Sequence, residues 1–216
     1  MKQAYFLTGT DTNVGKTLIA TGLLHAARHS WDLKVLGLKP VVAGGGEDVD
    51  KLIAASNVQA PRHYINPYPL EEAVSPNIAA RGEGKTIYLD HVKYCFDEVR
   101  GLAEFVIVEG IGGFRAPLND TQDGGDLAAL LGLPVILVVG LKLGCLNHTL
   151  LTVEAIQARG LQLAGWVANE IDPDMICVTE NVSTLKDRLE APLLGFIRHQ
   201  ARPAPENLVK QLAMPE

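Results

Sequence analysis

The segment of residues 9–17, with the sequence GTDTNVGKT, restricts the possible folds of this chain more than any other feature. It follows a strand-like apolar run at residues 4–7 and precedes a helix predicted from about residue 15 to residue 29. A glycine-rich loop between a strand and a helix, ending in Gly-Lys-Thr, is the pattern of a phosphate-binding P-loop. Five residues separate Gly9 from Gly15, one more than in the usual pattern, and this longer loop indicates a subgroup of P-loop proteins.

The loop predicts which residues hold a nucleotide. Backbone N–H groups of the loop and of the first helical turn point at phosphate oxygens. The Lys16 ammonium supplies a positive charge for the β- and γ-phosphates, and the Thr17 hydroxyl is a ligand for Mg²⁺. The ATP-binding residues predicted in this segment are Gly9, Asn13, Val14, Gly15, Lys16, Thr17 and Leu18.

Short strand-like runs alternate with helical stretches along the rest of the chain. Strands are predicted at residues 34–38, 105–108, 134–139, 163–168 and 193–197, and helices at 49–56, 89–102, 147–159 and 179–189, with a last helix from about 205. Residues 57–89 contain four prolines and are expected to form an irregular surface excursion. The alternation predicts an α/β P-loop NTPase fold, with a mostly parallel central sheet and helices on both faces. One domain over residues 1–216 is the simplest expectation at this length.

Composition and charge argue against several classes of protein. The formal net charge of −6 argues against a general nucleic-acid-binding protein, because such proteins usually carry a basic patch. The N-terminus lacks a charged leader followed by a long apolar core, and the apolar run at 127–139 is interrupted by Gly132 and Pro134. Neither a signal peptide nor a membrane span is therefore expected. Three cysteines without a CxxC spacing are expected to be reduced thiols in a cytoplasmic protein.

Charged residues at the ends of predicted strands extend the phosphate site. Glu109 follows the buried run of residues 105–108, and a P-loop magnesium site usually takes a carboxylate from such a strand end. Lys39, held by Pro40 at the end of the second strand, brings an ammonium to the same edge of the sheet. A lysine there can stabilise the charge that develops during phosphoryl transfer. Asp48 and Asp50 follow a glycine-rich loop, and either is a candidate for a second acidic ligand.

Taken together, these segments resemble the dethiobiotin synthetase family. The matching blocks run in family order: residues 9–17, KPV at 39–41, VEGIGG at 108–113, residues 134–139, KLGCLNH at 142–148, GWVAN at 165–169 and PLLG at 192–195. The P-loop type is shared with related ATP-dependent families, whereas its combination with the block at 142–148 is much more specific.

The resemblance implies a reaction of biotin biosynthesis. Diaminopelargonic acid, CO₂ and ATP would give dethiobiotin, ADP and phosphate, through a carbamate and a carbamic-phosphoric anhydride. No covalent enzyme intermediate is needed, which agrees with the lack of an evident Ser/His/Asp or Cys/His triad in the sequence. The protein would act by positioning the reactants and by stabilising charge, with Mg²⁺ as cofactor and ATP as co-substrate.

The resemblance also implies roles for individual residues at the reacting end of the substrate. Lys39, Lys16 and Thr12 would be catalytic: Lys39 at the carbamate, Lys16 at phosphate and Thr12 near the reacting nitrogens. Thr17, Asp50 and Glu109 would organise Mg²⁺. Asp50 is preferred to Asp48 because Asp50-Lys51-Leu52 best matches the aspartate-plus-helix segment of the family.

Further residues would bind the adenine, the phosphates and the substrate tail. Asn169 would contact the adenine edge, and Gly110 and Gly112 would bring backbone N–H groups to phosphate or carbamate. Leu143, Gly144 and Asn147 would hold the tail carboxylate. In the family this last segment comes from the second subunit, so a homodimer is expected.

Four positions depart from the family pattern. Ala43 stands where a serine is frequent after the catalytic lysine, and Asn13 where glutamate is common. Arg198 replaces a usual proline, and Asn181 replaces a tyrosine that helps to bind the substrate tail. These changes bear on affinity, nucleotide preference or substrate choice, whereas the phosphate and metal residues are intact.

Two other classes of ATP-dependent protein were weighed against the ligase. A partition- or septum-type switch ATPase usually carries a second lysine early in its P-loop, where this chain has Thr10-Asp11-Thr12. A cobyrinate-type synthetase is expected to carry a glutaminase domain, for which 216 residues leave no room. Both alternatives therefore agree less well with the sequence than the ligase does.

Overall fold

The fold of the chain, described for residues 3–215 by a computed structural model, is built around a six-stranded sheet. The strands are β1 (Gln3–Gly9), β2 (Val35–Leu38), β3 (Val41–Ala43), β4 (Tyr68–Leu70), β5 (Phe105–Glu109), β6 (Val135–Leu141), β7 (Leu163–Glu170) and β8 (Leu193–Ile197). The main sheet has the order β2-β5-β1-β6-β7-β8, and β3 and β4 form a separate pair. All neighbours in the main sheet are parallel, which confirms the predicted α/β fold.

Eight α-helices surround the sheet within the described residues. They are α1 (Lys16–Trp31), α2 (Glu47–Ala55), α3 (Arg62–Ile65), α4 (Pro76–Gly82), α5 (Leu89–Val99), α6 (Gly124–Leu131), α7 (Cys145–Gln157) and α8 (Val178–Arg188), with 3₁₀ turns at Arg100–Leu102 and Pro205–Leu208. Across residues 3–215, none of the helices combines the length and the apolar character that crossing a membrane requires.

The two faces of the sheet are covered by different helices, because successive side chains of a strand point to opposite faces. Tyr5 and Leu7 of β1 belong to a core that includes residues of α1 and the C-terminal 3₁₀ turn. Phe6 of the same strand belongs to a core that includes residues of α5 and α6. A third core, around Trp166, lies under α7 and α8. Helices on both faces were predicted and are confirmed, whereas the single domain over residues 1–216 stays a prediction.

Most predicted elements are present, with ends that differ by a few residues. The helices predicted from residues 49 and 147 begin at Glu47 and Cys145, and the last predicted helix is only a 3₁₀ turn. Three features were missed, the first of which is strand β3 at Val41–Ala43. Residues 57–89 contain α3, β4 and α4 and are more regular than their four prolines suggested. The short helix α6 starts with two glycines, which lower helix propensity and hide it from pattern analysis.

Strand register determines which side chains meet at the edge of the sheet where the strands end. Leu38 of β2 lies beside Val108 of β5, and Leu7 of β1 lies beside Glu109. Lys39 therefore emerges next to Glu109, and the loop that follows Gly9 lies on the other side of Glu109. Ligands of parallel α/β sheets bind at this carboxyl edge.

Candidate active site

The P-loop wraps into a left-handed turn immediately before α1. Asn13 has φ 59° and Gly15 has φ 89°, both in the left-handed region. Asparagine adopts this region more readily than most residues, and glycine does so without steric cost. No side chain among the described residues caps the start of α1 at Lys16. The first N–H groups of α1 therefore have no intrahelical partner and form a site for an anion.

Asn169, at the end of β7, fixes the middle of the loop. Its Nδ2 donates a hydrogen bond to the Val14 carbonyl oxygen over 2.8 Å. A Cβ atom at Gly15 would lie 2.3 Å from this nitrogen, so only glycine leaves room for the contact. Asn169 and the P-loop are thereby brought together as the sequence predicts.

Three charged side chains and one hydroxyl form a hydrogen-bonded cluster next to the loop. The Lys39 ammonium donates to Glu109 Oε1 and to Asp48 Oδ2, each over 2.6 Å. The Thr17 hydroxyl donates to the same Glu109 Oε1 over 2.8 Å. The cluster thus joins the ends of β2 and β5 to the starts of α1 and α2.

Burial and charge act in opposite directions on this cluster. Burial alone would lower the pKa of Lys39, but the Glu109 and Asp48 carboxylates outweigh it and hold the pKa above its ordinary value. Burial would raise the pKa of Asp48, but the Lys39 charge and hydrogen bonds from Lys39 and Thr17 hold it below its ordinary value. Lys39 and Asp48 are therefore both charged near neutral pH.

Glu109 has a buried carboxylate oxygen without a hydrogen-bond partner among the described residues. The residue is 1% exposed, and its Oε2 has no hydrogen-bond partner within residues 3–215. A buried polar atom without a partner is energetically costly, so such an atom in a native site calls for a ligand, an ion or water. The atom belongs to the residue that the sequence predicts as a metal ligand.

Lys16 is buried at the floor of the P-loop. Its ammonium donates to the Asp11 carbonyl oxygen over 3.1 Å. Burial, opposed by the Glu109 carboxylate and reinforced by the Lys39 charge, lowers the pKa of Lys16 from 10.5 to about 8. The residue is still mostly protonated at neutral pH and carries a charge with little hydration, which favours contact with a phosphate.

Two adjoining cavities open at this edge of the sheet. The larger, of about 590 Å³, is lined by Thr12, Asn13, Gly15, Lys16, Thr17, Leu18, Lys39, Val42, Ala43, Gly44, Gly45, Glu47, Asp48, Glu109, Ile111 and Gly112. The second, of about 320 Å³, includes Asn169, Ile197 and Arg198. Both are lined by Asn13, Gly15 and Leu18. Together they can hold an elongated ligand with its phosphates at the P-loop and a flat ring at Asn169.

Most of the predicted site residues line these cavities, but Gly9, Val14 and Gly110 are among those that do not. Gly9 and Val14 shape the loop from behind, since a Cβ at Gly9 would lie 2.5 Å from Val14 Cγ2. The Gly110 N–H donates to the Leu7 carbonyl oxygen over 2.9 Å and is engaged within the protein. Gly112, in contrast, lines the larger cavity.

The structure does not bring Asp50 into the cluster, contrary to the sequence-based preference for it over Asp48. Asp50 lies outside the cavity and pairs with Arg62 over 2.5 Å, with its side chain 65% exposed. Because α2 begins at Glu47, the two aspartates are separated by about 200° around the helix axis. Asp48 therefore faces Lys39 while Asp50 faces outward.

The segment predicted to hold a substrate tail lies outside the larger cavity of its own chain. Leu143 is 94% exposed, and Gly144 adopts φ 93° before α7 starts at Cys145. Asn147 is exposed on the first turn of that helix. Asn181 lies close by, with its Oδ1 3.8 Å from the Cys145 thiol.

Sequence reasoning missed an ion pair that links this segment to the P-loop. Lys142 Nζ donates to Asp11 Oδ2 over 2.9 Å, and Asp11 Oδ1 accepts from the Thr12 N–H over 2.8 Å. The hydrogen bond from Lys142, followed by that from Thr12, lowers the pKa of Asp11. Both charges were visible in the motifs, but only the fold shows that the ends of β1 and β6 are adjacent.

Three of the departures from the family pattern, Asn13, Ala43 and Arg198, lie at the cavities. Ala43 lines the larger one, where a methyl group replaces a possible hydroxyl contact. Arg198 borders the second, with its guanidinium carbon 4.3 Å from the centre of the Phe196 ring and its Nη1 3.5 Å from Glu170 Oε2. Arg198 therefore adds a flat, charged wall to the second cavity.

Comparisons with known proteins give two kinds of similarity, one of sequence and one of fold alone. A family model described as an AAA domain matches residues 3–206. The chain is 50% identical to the ATP-dependent dethiobiotin synthetase of Aromatoleum aromaticum, covering 99% of this chain and 98% of that protein. It is 49% identical to the one of Janthinobacterium sp. (strain Marseille), covering 93% and 89%. Among solved structures, a ParA family ATPase from Chlorobium tepidum TLS matches with a TM-score of 0.58 and 12% identity, covering 93% of this chain and 86% of that one. At that identity the structural likeness concerns the fold alone.

We expect the affinity for ATP to weaken as the pH rises above about 8. The Lys16 ammonium, with its pKa lowered to about 8, loses its proton in that range and with it the attraction to phosphate. The Kd for ATP, measured by displacement of a fluorescent analogue, should rise by up to about tenfold per pH unit. AMP is the control, because it lacks the β- and γ-phosphates that Lys16 faces in P-loop proteins. A Kd for ATP that stays constant through this range would contradict the assignment.

Proposed function

The chain belongs to the family of ATP-dependent dethiobiotin synthetases, and from that premise we propose that it carboxylates diaminopelargonic acid with CO₂ and closes the ureido ring of dethiobiotin. ATP is converted to ADP and phosphate in the course of the reaction. The observation that carries this proposal is the Lys39 ammonium, held 2.6 Å from both Glu109 and Asp48 at the border of the P-loop cavity. It puts a fixed positive charge beside the place where a P-loop holds phosphates.

The proposed reaction has three steps. One amine of the substrate attacks CO₂ and loses a proton, which gives a carbamate. A carbamate oxygen then attacks the γ-phosphorus of ATP, and ADP leaves, which gives a carbamic-phosphoric anhydride. The second amine attacks the carbonyl carbon, the ring closes, and phosphate departs. Negative charge is carried by the carbamate until it is phosphorylated and by the phosphoryl group during its transfer and departure.

The residues of the cleft match these demands. Lys39 stabilises the carbamate and its phosphorylation, and Lys16, which lines the same cavity, holds the phosphates. Thr12, on the cavity wall beside Gly112, contacts the substrate near its reacting nitrogens. Because these groups are fixed before the reactants arrive, they stabilise developing charge without having to reorganise.

Mg²⁺ is the cofactor that suits the oxygen donors of the cluster. Thr17, Asp48 and Glu109 would hold it, and the buried Glu109 Oε2 without a partner supports this choice. The ion would neutralise charge on the β- and γ-phosphates. Within the described residues, no group of three or more His, Cys, Asp or Glu side chains is arranged to hold a metal. A small number of protein ligands is typical of Mg²⁺, because the ion keeps several waters and binds substrate phosphates.

The second cavity is proposed to receive the adenine. Asn169 forms its inner wall and is held there by the Val14 carbonyl oxygen. Leu18 and Pro203 add apolar surface for a ring to pack against. Shared lining residues between the two cavities let one nucleotide span both.

The substrate tail is proposed to bind at Leu143, Gly144 and Asn147 of a second copy of the chain. These residues lie outside their own cavity, and Leu143 exposes nearly its entire apolar side chain. A homodimer would cover this surface and would complete the site at the interface. With asparagine at position 181, an aromatic contact to the tail is replaced by a shorter polar side chain.

The first test is product formation. The protein with ATP, Mg²⁺, bicarbonate and diaminopelargonic acid should release phosphate and form dethiobiotin in a one-to-one ratio, followed by mass detection. Without the diamine, phosphate release should fall to background. Slow release that is indifferent to the diamine and gives no dethiobiotin would reject the proposed reaction.

Lys39→Ala should abolish most turnover while ATP still binds. Removing the ammonium leaves the carbamate and the transferred phosphoryl group without their nearest protein cation, and losses of about 100- to 1,000-fold in kcat are typical for such groups. Lys51→Ala is the matched control, because Lys51 is an exposed lysine of nearby α2. Unchanged kcat in Lys39→Ala would remove Lys39 from the mechanism.

Asp48→Asn should lower the apparent affinity of the enzyme for Mg²⁺ more than Asp50→Asn does. Asp48 faces the cluster, whereas Asp50 pairs with Arg62 in solvent and contributes little. The Mg²⁺ concentration that gives half-maximal turnover should rise several-fold in Asp48→Asn only. Mn²⁺ binding in the presence of ADP gives the same comparison without turnover, and the reverse order would restore Asp50 as the ligand.

A further inference from the structure

Asp123, outside the cleft, is the buried centre of a second cluster of charged side chains. The residue is 7% exposed and ends the long loop that follows Glu109. Its Oδ1 accepts from the Gly125 N–H over 2.9 Å and the Asp126 N–H over 3.1 Å, at the start of α6. Its Oδ2 accepts from the Arg115 guanidinium of the same loop. These local bonds fix the end of the loop to the helix.

Arg159 reaches the same carboxylate from another part of the fold. It follows α7, and its Nη2 lies 2.9 Å from Asp123 Oδ1 and 2.8 Å from Asp123 Oδ2. Its Nε donates to Asp126 Oδ1 over 3.3 Å, and its guanidinium carbon is 5.5 Å from the centre of the Phe114 ring. One side chain therefore contacts both ends of the Phe114–Asp123 part of the loop.

A glycine at the start of α6 makes room for this arrangement. A Cβ atom at Gly125 would lie 2.6 Å from Arg159 Nε and 2.8 Å from Phe114 Cε1. The guanidinium and the ring therefore lie directly over the helix backbone. An asparagine, serine or aspartate N-cap would stabilise α6 without any arginine, so helix capping alone does not explain Arg159.

The loop that Arg159 holds lies against the P-loop. A Cβ at Gly112 would be 3.7 Å from Thr12 Oγ1, and one at Gly113 would be 3.7 Å from the carbonyl oxygens of Gly9 and Thr10. Phe114, which Arg159 contacts, is the next residue. The position of the Gly112 backbone over the cavity thus depends on an anchor at Phe114 and Asp123.

We propose that Arg159 is a positioning residue for the ligase reaction, which sets the backbone at Gly112 and Gly113 against Thr12 through Asp123 and Phe114. The inference rests on the proposed function, since the substrate diamine is taken to react in the cavity beside Gly112. Arg159 does not touch the reactants. It also ties this loop to α7, whose opposite end follows the segment at Leu143 and Gly144.

The test compares Arg159→Lys and Arg159→Gln with Arg81→Gln. Arg81 of α4 pairs with Asp120 of the loop that follows Glu109, but both side chains are mainly exposed. Loss of this ion pair should therefore change kcat/KM little. In the Arg159 variants kcat/KM for diaminopelargonic acid should fall by roughly 10- to 100-fold, because small misplacements of reacting groups have effects of this size. The Kd for ATP should stay within about twofold of the wild-type value, because Arg159 does not contact Lys16, Thr17 or Asn169. Arg159→Lys keeps the charge and should recover part of the loss.

Hydrogen exchange supplies a readout that does not depend on the reaction. Backbone amides of residues 110–117 should exchange faster in Arg159→Lys than in the wild type, while those of residues 15–24 stay unchanged. Unchanged exchange at 110–117, unchanged kcat/KM, or equal losses of ATP binding and turnover would each overturn the proposal. Wild-type protein that makes no dethiobiotin would reject the proposed function instead, and the exchange comparison would still decide whether Arg159 fixes the loop.

Discussion

The burial of Glu109 is the constraint on which the rest of the site depends. A carboxylate that is 1% exposed is very costly unless a cation and hydrogen-bond donors compensate it. The cation is Lys39 and the donor is Thr17, and both contact the same oxygen. Lys39 is 70 positions away in the chain and reaches Glu109 only because β2 pairs directly with β5. Sheet order, strand register and the start of α1 are thus all coupled to one buried charge.

The sequence was sufficient to predict which side chains share this edge of the sheet, because each of them follows a strand that a short motif identifies. A P-loop motif locates the end of β1, and charged residues directly after apolar runs locate the ends of β2 and β5. In a parallel sheet these ends share one edge, so Lys39, Glu109 and Thr17 could be grouped without coordinates. The Asp123 cluster could not be grouped in this way, because Arg159 arrives from a helix end that no motif connects to the loop.

The preference for Asp50 rested on the match of Asp50-Lys51-Leu52 to the family, and such a match does not show which way either aspartate faces. Choosing between two aspartates on one helix requires the phase of that helix, and a shift of its start by two residues turns a side chain by about 200°. The pattern placed the start near residue 49, whereas α2 begins at Glu47. Helix ends are the least reliable part of sequence analysis, so the sequence could not show which of the two aspartates faces Lys39. The short helix α6 was missed for a related reason, since its glycines serve the packing of Phe114 and Arg159 rather than helix propensity.

The likeness to a ParA family ATPase shows how little of this chemistry the fold itself specifies. The two chains share an architecture at 12% identity, so the parallel sheet and the P-loop account for nucleotide binding at most. What a carboxylating ligase needs in addition is a fixed cation beside the γ-phosphate and a wall that orients an amine toward it. In the proposed reaction Lys39 would supply the first from the end of β2, which is outside the P-loop. The Gly112 loop would supply the second, and because it has no regular structure of its own, its position must be maintained from outside. Arg159 is suited to that role, since its Nη2 contacts both Asp123 oxygens while its Nε donates to Asp126, and a planar guanidinium held at two nitrogens fixes direction as well as distance.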